Sequence, residues 1–103
     1  MLETVSTNHY RLLGHIDMQE SSGLLRELME LPEASKIGKQ DLLLDVSALE
    51  SSDSLLLAAL LDLERKIVQR GARLRVKGLS ESMKGLARVY GIETLLENIL
   101  ETT

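Results

Sequence analysis

Hydrophobic residues are grouped most densely in two consecutive segments near the middle of the chain. Residues 42–46 (LLLDV) form an apolar run whose length suits a buried β-strand. A polar loop follows over residues 47–53, and residues 54–70 carry the apolar spacing of a helix that ends at Gly71. A buried strand that leads into a helix through a turn rich in Ser and Asp is half of a βαβ unit. This central segment therefore predicts an α/β fold.

The residues before this segment predict two strands and a helix. Residues 3–8 are polar and β-branched, as in a short edge strand, and residues 10–16 alternate as a second strand. Residues 18–31 carry a helical stripe of apolar positions. We expect this first helix to stop at Pro32, because a proline disfavours helical geometry in the residue before it.

The residues after Gly71 predict a further strand and helix. Residues 73–77 alternate between apolar and basic side chains, which is typical of a strand with one wet face. A third helix is expected to end at Gly91, and its apolar stripe consists of Met83, Leu86, Ala87 and Tyr90. The expected order is β-β-α-β-α-β-α, with an apolar tail that forms either a helix or a strand.

The helix of residues 54–70 has more apolar positions than one side of a helix can bury against a sheet. One broad face, with Glu64 in its middle, is expected to cover the sheet; its apolar members are Leu57, Leu60, Leu61, Ile67 and Val68. A second group flanks this face and is concentrated in the first two turns: Leu55, Leu56, Ala59 and Leu63. Two interpretations stay open for the second group: neighbouring helices of the chain cover it, or a partner protein does.

Polar residues at the start of this helix and on the third helix are candidates for binding. Asp53 or Ser52 can cap the helix through a side-chain oxygen. Ser54 then lies in the first turn, near the positive end of the helix dipole, where a phosphate would also be tolerated. Lys84 and Arg88 lie one turn apart on the third helix, either as a solvated face or as a contact for an acidic partner surface.

Composition excludes several classes of protein. The 103 residues suit a single domain over residues 1–103, and the net charge of −4 without a basic stripe argues against nucleic acid as the main ligand. The chain has no cysteine, so disulfides, thiolate metal sites and thiol catalysis are excluded. Neither a signal peptide nor an apolar stretch of membrane-spanning length is apparent, and we expect a cytoplasmic protein without direct membrane insertion.

No catalytic or cofactor-binding motif is apparent in the sequence. A Gly-rich phosphate loop is lacking, and His9 and His15 do not have the spacing of metal ligands. Asp45 and Asp53 flank the central loop, where two acids are more typical of a strand end and a helix cap than of an acid/base pair. We therefore expect no enzymatic activity, no cofactor and no metal site, although the sequence cannot exclude a Ser-His-Asp arrangement assembled in space.

Three stretches together resemble the STAS domain family (sulfate transporter and anti-sigma-factor antagonist). Residues 13–17 (LGHID) are similar to the family's Leu-x-Gly-x-Leu-Asp signature. Residues 44–49 (LDVSAL), followed by residues 52–54 (SDS), resemble its Asp-Leu-Ser-x-Val and Asp-Ser/Thr motifs. Residues 86–92 (LARVYGI) resemble most closely the MlaB branch, whose members are cytoplasmic subunits of bacterial phospholipid ABC transporters.

The resemblance implies a STAS-like fold, with a mixed sheet of about four strands and three to four helices mainly on one face. It also implies a role without catalysis, in which the chain binds a MlaF-like ATPase subunit and, through it, contacts the permease at the inner membrane. The system to which it would belong maintains outer-membrane lipid asymmetry. The partner-binding residues would be Asp53, Ser54, Leu55, Leu56, Ala59, Leu63, Lys84 and Arg88.

Ser54 matches the family's functional Ser/Thr, and three roles stay open for it. It is a helix-start hydroxyl without a regulatory role, a contact residue, or a phosphoacceptor, as in an anti-sigma-factor antagonist. Many family members have a glycine shortly after this position, whereas three leucines, residues 55–57, follow Ser54 directly. The bulkier helix start makes access by a kinase less favourable. A STAS domain related to an anion transporter is a third and weaker alternative for the whole chain.

Overall fold

The computed structural model describes residues 1–16, 22–34 and 41–101. The main sheet has the strand order β1-β2-β4-β6, in which β1 is antiparallel to β2 and the other neighbours are parallel. Strands β3 and β5 form a separate parallel pair. The mixed sheet of four strands confirms the predicted fold class. The elements are β1 (Leu2–Ser6), β2 (His9–Leu12), β3 (Gly14–Ile16), α1 (Ser22–Ala34), β4 (Leu42–Asp45), β5 (Leu49–Ser52), α2 (Ser54–Val68), β6 (Leu74–Lys77), α3 (Glu81–Val89) and α4 (Glu93–Glu97).

The two faces of the main sheet differ in polarity because side chains alternate along each strand. One face carries Leu44 and Val76, which are paired across β4 and β6 and have no exposed surface. This face belongs to a core of aliphatic side chains to which all four helices contribute. The opposite face carries a row of alternating charge across four strands, formed by Glu3, Arg11, Asp45 and Lys77.

The predicted strand of residues 10–16 is divided between two sheets. Strand β2 ends at Leu12, and Gly14 has a φ of 112°, a value that side-chain-bearing residues rarely adopt. Leu13, between the two strands, donates its amide to the carbonyl of Met1 at 2.8 Å. The chain therefore leaves the main sheet after Leu12, and β3 pairs with β5 instead of β4. The prediction of one continuous strand was wrong, because the sequence pattern does not reveal the change of partner.

Helix α1 continues through Pro32 to Ala34, so the prediction that the proline stops it was wrong. Leu31 and Pro32 are both buried. Their packing outweighs the single helical hydrogen bond that a proline removes near a helix end. The helix was predicted to begin at residue 18, but residues 18–21 lie outside the described residues. Most of the polar connection predicted over residues 33–40 also lies outside them.

Two other boundaries also differ from the predictions. The segment expected to be a polar loop contains β5, which is held by its pairing with β3. The apolar tail forms α4 and then a parallel bridge between Leu100 and Val76. Val76 donates its amide to Ile99 at 2.7 Å, and Glu101 donates its amide to Val76 at 2.7 Å. The tail is therefore both a helix and an extension of the sheet edge.

Candidate functional site

Asp53, one of the two candidates from the sequence, is the residue that caps α2. Its backbone is extended, and its Oδ1 accepts the amide of Leu55 at 2.9 Å. Asp53 also donates its own amide to the carbonyl of Ile16 at 3.3 Å, which ties the cap to the end of β3. Ser54 is the first residue of the helix and is half-buried. Its hydroxyl makes no hydrogen bond with the part of the chain that the structure describes. The cap therefore presents Ser54 at the positive end of a helix dipole.

A short turn after β4 is held by a buried carboxylate. Asp45 is 4% exposed, and its Oδ1 accepts the amide of Ser47 at 2.9 Å and the Ser47 hydroxyl at 2.6 Å. Burial acts to raise the pKa of Asp45, but the hydrogen bonds from Ser47 and Arg11 and the positive charge of Lys77 outweigh it. The pKa of this carboxyl group therefore lies below its ordinary value of 3.8. Asp45 acts as an ionised anchor of the turn.

The second group of leucines on α2 is mostly buried within the chain. Leu56 is 1% exposed, Ala59 5% and Leu63 0%, and only Leu55 stays half-buried. Helix α2 packs between α1 and α3, and these neighbours cover its flanks. The interpretation that neighbouring helices cover this group is therefore correct for three of the four residues. Leu56, Ala59 and Leu63 can support a partner surface from below, but they cannot touch a partner directly.

The face of α2 that was assigned to the sheet was also placed wrongly. The buried residues centre on Leu60 and Ile67 rather than on Glu64, a rotation of about 50° at 100° per residue. Val68 is 47% exposed in consequence. Glu64 lies at the edge of the buried face, where its carboxylate accepts the Leu74 amide at 2.8 Å and pairs with Arg73 at 2.9 Å. The helical-wheel projection did not identify the buried face, because apolar residues occur on nearly every side of this helix.

Lys84 and Arg88 lie on the side of α3 that faces α4. Lys84 pairs with Glu81 at 3.4 Å, and Arg88 pairs with Glu93 at 2.8 Å. Both cations line a groove of about 230 Å³ between α3, α4 and Leu100, and no residue of α2 lines it. The structure therefore separates these two cations from Asp53, Ser54 and Leu55, with which the sequence had grouped them.

Exposed apolar side chains, which sequence reasoning missed, lie at the end of α3 and on α4. Val89 is 81% exposed, Tyr90 58% and Leu95 56%. Tyr90 was predicted to belong to the buried stripe of the third helix, but the helix ends at Val89 and Tyr90 is its C-cap. The sequence could have shown that the buried stripe ends before Tyr90 only if the end of the helix had been known. These three exposed apolar residues lie outside α2, where the sequence analysis had looked for a partner surface.

The described residues contain no group of three or more His, Cys, Asp or Glu side chains placed to hold a metal ion. Among the same residues, no helix combines the length and apolar character needed to cross a membrane.

Comparisons with known proteins identify the fold and the family. The family model described as "Mlab, STAS domain" matches residues 3–98. A sulfate transporter family protein from Wolinella succinogenes is similar in structure, with a TM-score of 0.71 and 18% identity over 95% of this chain and 80% of that chain. The anti-sigma factor antagonist SpoIIAA in its unphosphorylated form has a TM-score of 0.70 and 14% identity over 100% of this chain and 86% of its own. A search of curated proteins found no match.

The two structures share the mixed sheet and helices described above, and at these identities they establish the fold alone. The family model covers nearly the whole chain, from β1 to the end of α4. STAS domains generally act by binding other proteins. The chain therefore belongs to the STAS domain family, in the group described as MlaB.

Proposed function

We propose that this chain is a STAS-domain subunit of a bacterial Mla-type phospholipid ABC transporter. In this role it binds the cytoplasmic, MlaF-like ATPase subunit and supports the assembly and activity of that subunit. It thereby helps to maintain outer-membrane lipid asymmetry. It is cytoplasmic, reaches the permease and the inner membrane only through the ATPase, and acts by binding rather than by catalysis. The observation that carries the proposal is the MlaB family match over residues 3–98.

The outer surface of α2 and α3 supports a protein-binding role. Helix α2 follows β5, which is parallel to β3, and α3 follows β6, which is parallel to β4. Ser54 and Leu55 are accessible at the start of α2, and Val89 and Tyr90 are exposed at the end of α3. Exposed aromatic and aliphatic side chains bordered by charged groups are typical of interface anchors and their rim. We place the partner surface along these two helices, with Asp53 at one end.

Arg88 borders the apolar part of this surface, and Lys84 lies one turn before it. Both are paired with glutamates on the protein's own surface, at 2.8 Å and 3.4 Å. Their expected contribution is electrostatic complementarity to an acidic rim of the ATPase, which affects the rate of association more than the affinity. Substituting them should therefore weaken binding less than substituting an apolar anchor.

Co-purification with the ATPase and permease from the same genome tests the proposal. Val89→Arg and Ser54→Arg should each lower the affinity for the ATPase at least about tenfold, the effect of losing one interface anchor. Thr7→Arg is the control, because Thr7 is exposed and lies in the β1–β2 turn, outside both helices. Failure of the wild-type chain to bind the ATPase would contradict the function. Normal binding by both variants would contradict the surface.

An anti-sigma-factor antagonist switched by phosphorylation at Ser54 is the second candidate. It is favoured by the position of the Ser54 hydroxyl at the positive end of α2 and by the similarity in fold to SpoIIAA. Phosphate would add nearly two negative charges to the partner surface. Phosphorylation of Ser54 by a kinase encoded beside the chain, with loss of binding to the kinase's partner, would support this candidate. An unmodified mass after incubation with that kinase would count against it.

A further inference from the structure

A serine, a histidine and a glutamate come within hydrogen-bonding distance where β3 pairs with β5. The Ser51 Oγ lies 2.7 Å from the His15 Nδ1, and the His15 Nε2 lies 3.1 Å from a carboxylate oxygen of Glu50. Ser51 is half-buried, and the His15 side chain is 35% exposed. The three groups are therefore ordered as hydroxyl, imidazole and carboxylate.

An irregularity in the strand pairing makes this arrangement possible. Gly14 pairs with Leu49, but His15 pairs with Ser51, so Glu50 is an additional residue on β5. In a regular strand, consecutive side chains point to opposite faces, and one imidazole could not contact both Glu50 and Ser51. The bulge removes this restriction. Bulges are frequent beside active sites, where they redirect a side chain.

The chemistry of the three groups is that of an activated nucleophile. A serine hydroxyl is a weak nucleophile until an adjacent base accepts its proton. In the tautomer with the proton on Nε2, the imidazole would donate to Glu50 from Nε2 and accept from the Ser51 hydroxyl at Nδ1.

We propose that Ser51 is a reactive serine that accepts an acyl group from an activated ester. The Ser51 Oγ forms a bond to the carbonyl carbon as its proton moves to His15 Nδ1. The bond between that carbon and the leaving oxygen then breaks, the leaving group departs as its anion, and His15 releases the proton to solvent. The product is an ester of Ser51. Glu50 positions the imidazole and stabilises its charged form. The proposal does not depend on the proposed transport role.

Acylation of the intact chain by p-nitrophenyl acetate, followed by peptide mass mapping, tests the proposal. Ser51 should gain one acetyl group, and Ser51→Ala should abolish acylation at this position. His15→Gln should reduce the rate about a hundredfold, the usual contribution of a general base. Ser52→Ala is the matched control, because Ser52 is the next residue on β5 and is also half-buried; it should be acylated at Ser51 like the wild type. A wild-type chain that is not acylated, or that is acylated elsewhere, would overturn the proposal.

Ser51→Cys provides a second measurement that does not depend on the ester. The chain has no cysteine, so the introduced thiol is its only one. Next to His15, this thiol should react with iodoacetamide with a half-maximal rate well below pH 8.5, roughly the ordinary thiol pKa. An unshifted profile would overturn the assignment of His15 as the base.

Glu50→Gln separates a positioning role from a structural one. We expect the acylation rate to fall about tenfold with unchanged thermal stability, because Glu50 is 73% exposed and contributes little to folding. Glu50→Asp should recover part of the rate. Equal rates for wild type and Glu50→Gln would show that the carboxylate has no part in the reaction.

Discussion

Gly78 tests how tightly the base of the candidate site is packed. A Cβ atom at Gly78 would lie 2.5 Å from the Cβ of Ser47, 2.8 Å from its amide nitrogen and 2.9 Å from its Cα. Ser47 cannot move away easily, because its amide and hydroxyl are both bound to Asp45. The segments that lead into Ser47 and Gly78 are also joined, because the Val46 amide donates to the carbonyl of Lys77 at 2.9 Å. Gly78→Ala must therefore displace backbone.

The loss of folding stability expected for Gly78→Ala has two parts that can be measured separately. Gly78 has a φ of 83°, and a left-handed conformation costs a side-chain-bearing residue about 1–2 kcal/mol. The steric overlap adds about 1–3 kcal/mol, typical of inserting a methyl group into packed surroundings. Gly71 is the matched control, since its φ is 84° and a Cβ there would meet nothing within 4 Å. Gly71→Ala should therefore show the first part alone.

Urea denaturation followed by circular dichroism measures both variants. We expect Gly78→Ala to lower the free energy of unfolding by about 2–5 kcal/mol and Gly71→Ala by about 1–2 kcal/mol. The difference between the variants reports the contact with Ser47. Equal losses in the two variants would refute the reasoning, because they would show that the contact between the two loops costs nothing to disturb.

Three further predictions concern polar groups that hold the site in place. The pKa of Asp45 is lowered on folding, so its stabilisation is complete above pH 3.8 and is lost as the pH falls through the lower folded-state pKa. Urea midpoints should therefore fall more steeply for the wild type than for Asp45→Asn between about pH 5 and pH 2, and parallel curves would contradict this. Glu64→Ala leaves the Leu74 amide without its acceptor and should cost about 1–3 kcal/mol by urea denaturation, whereas Glu64→Gln, which keeps an acceptor oxygen, should cost less. Asp53→Ala removes the cap on the Leu55 amide and should cost about 1 kcal/mol, with Asp53→Ser close to the wild type; equal losses for both would argue against the cap.

Local pattern was sufficient for most of the fold. The alternation in residues 73–77 and the apolar run in residues 42–46 identified β6 and β4, because side-chain direction along a strand is set by the backbone itself. The helix cap was narrowed to Asp53 or Ser52 for the same reason, since a cap depends on residues adjacent in the chain. The family resemblance rested on motifs of this local kind.

Helix α2 shows the limit of prediction from local sequence pattern. Apolar residues occur around most of its circumference, so the wheel defines no unique buried face, and the neighbours α1 and α3 decide which leucines are covered. Strand β5 was missed for a related reason. Its residues are mostly polar, and only the pairing with β3 makes them a strand.

By itself, the sequence determined the α/β class, most of the element order and a helix cap at Asp53 or Ser52, all of which follow from residues close together in the chain. Only the tertiary structure decided that Leu56, Ala59 and Leu63 are buried and that the exposed apolar surface lies near Val89 instead. It also brought His15 to Ser51, 36 positions away. Burial and contact between distant residues depend on how whole elements pack, and no short window of sequence contains that information.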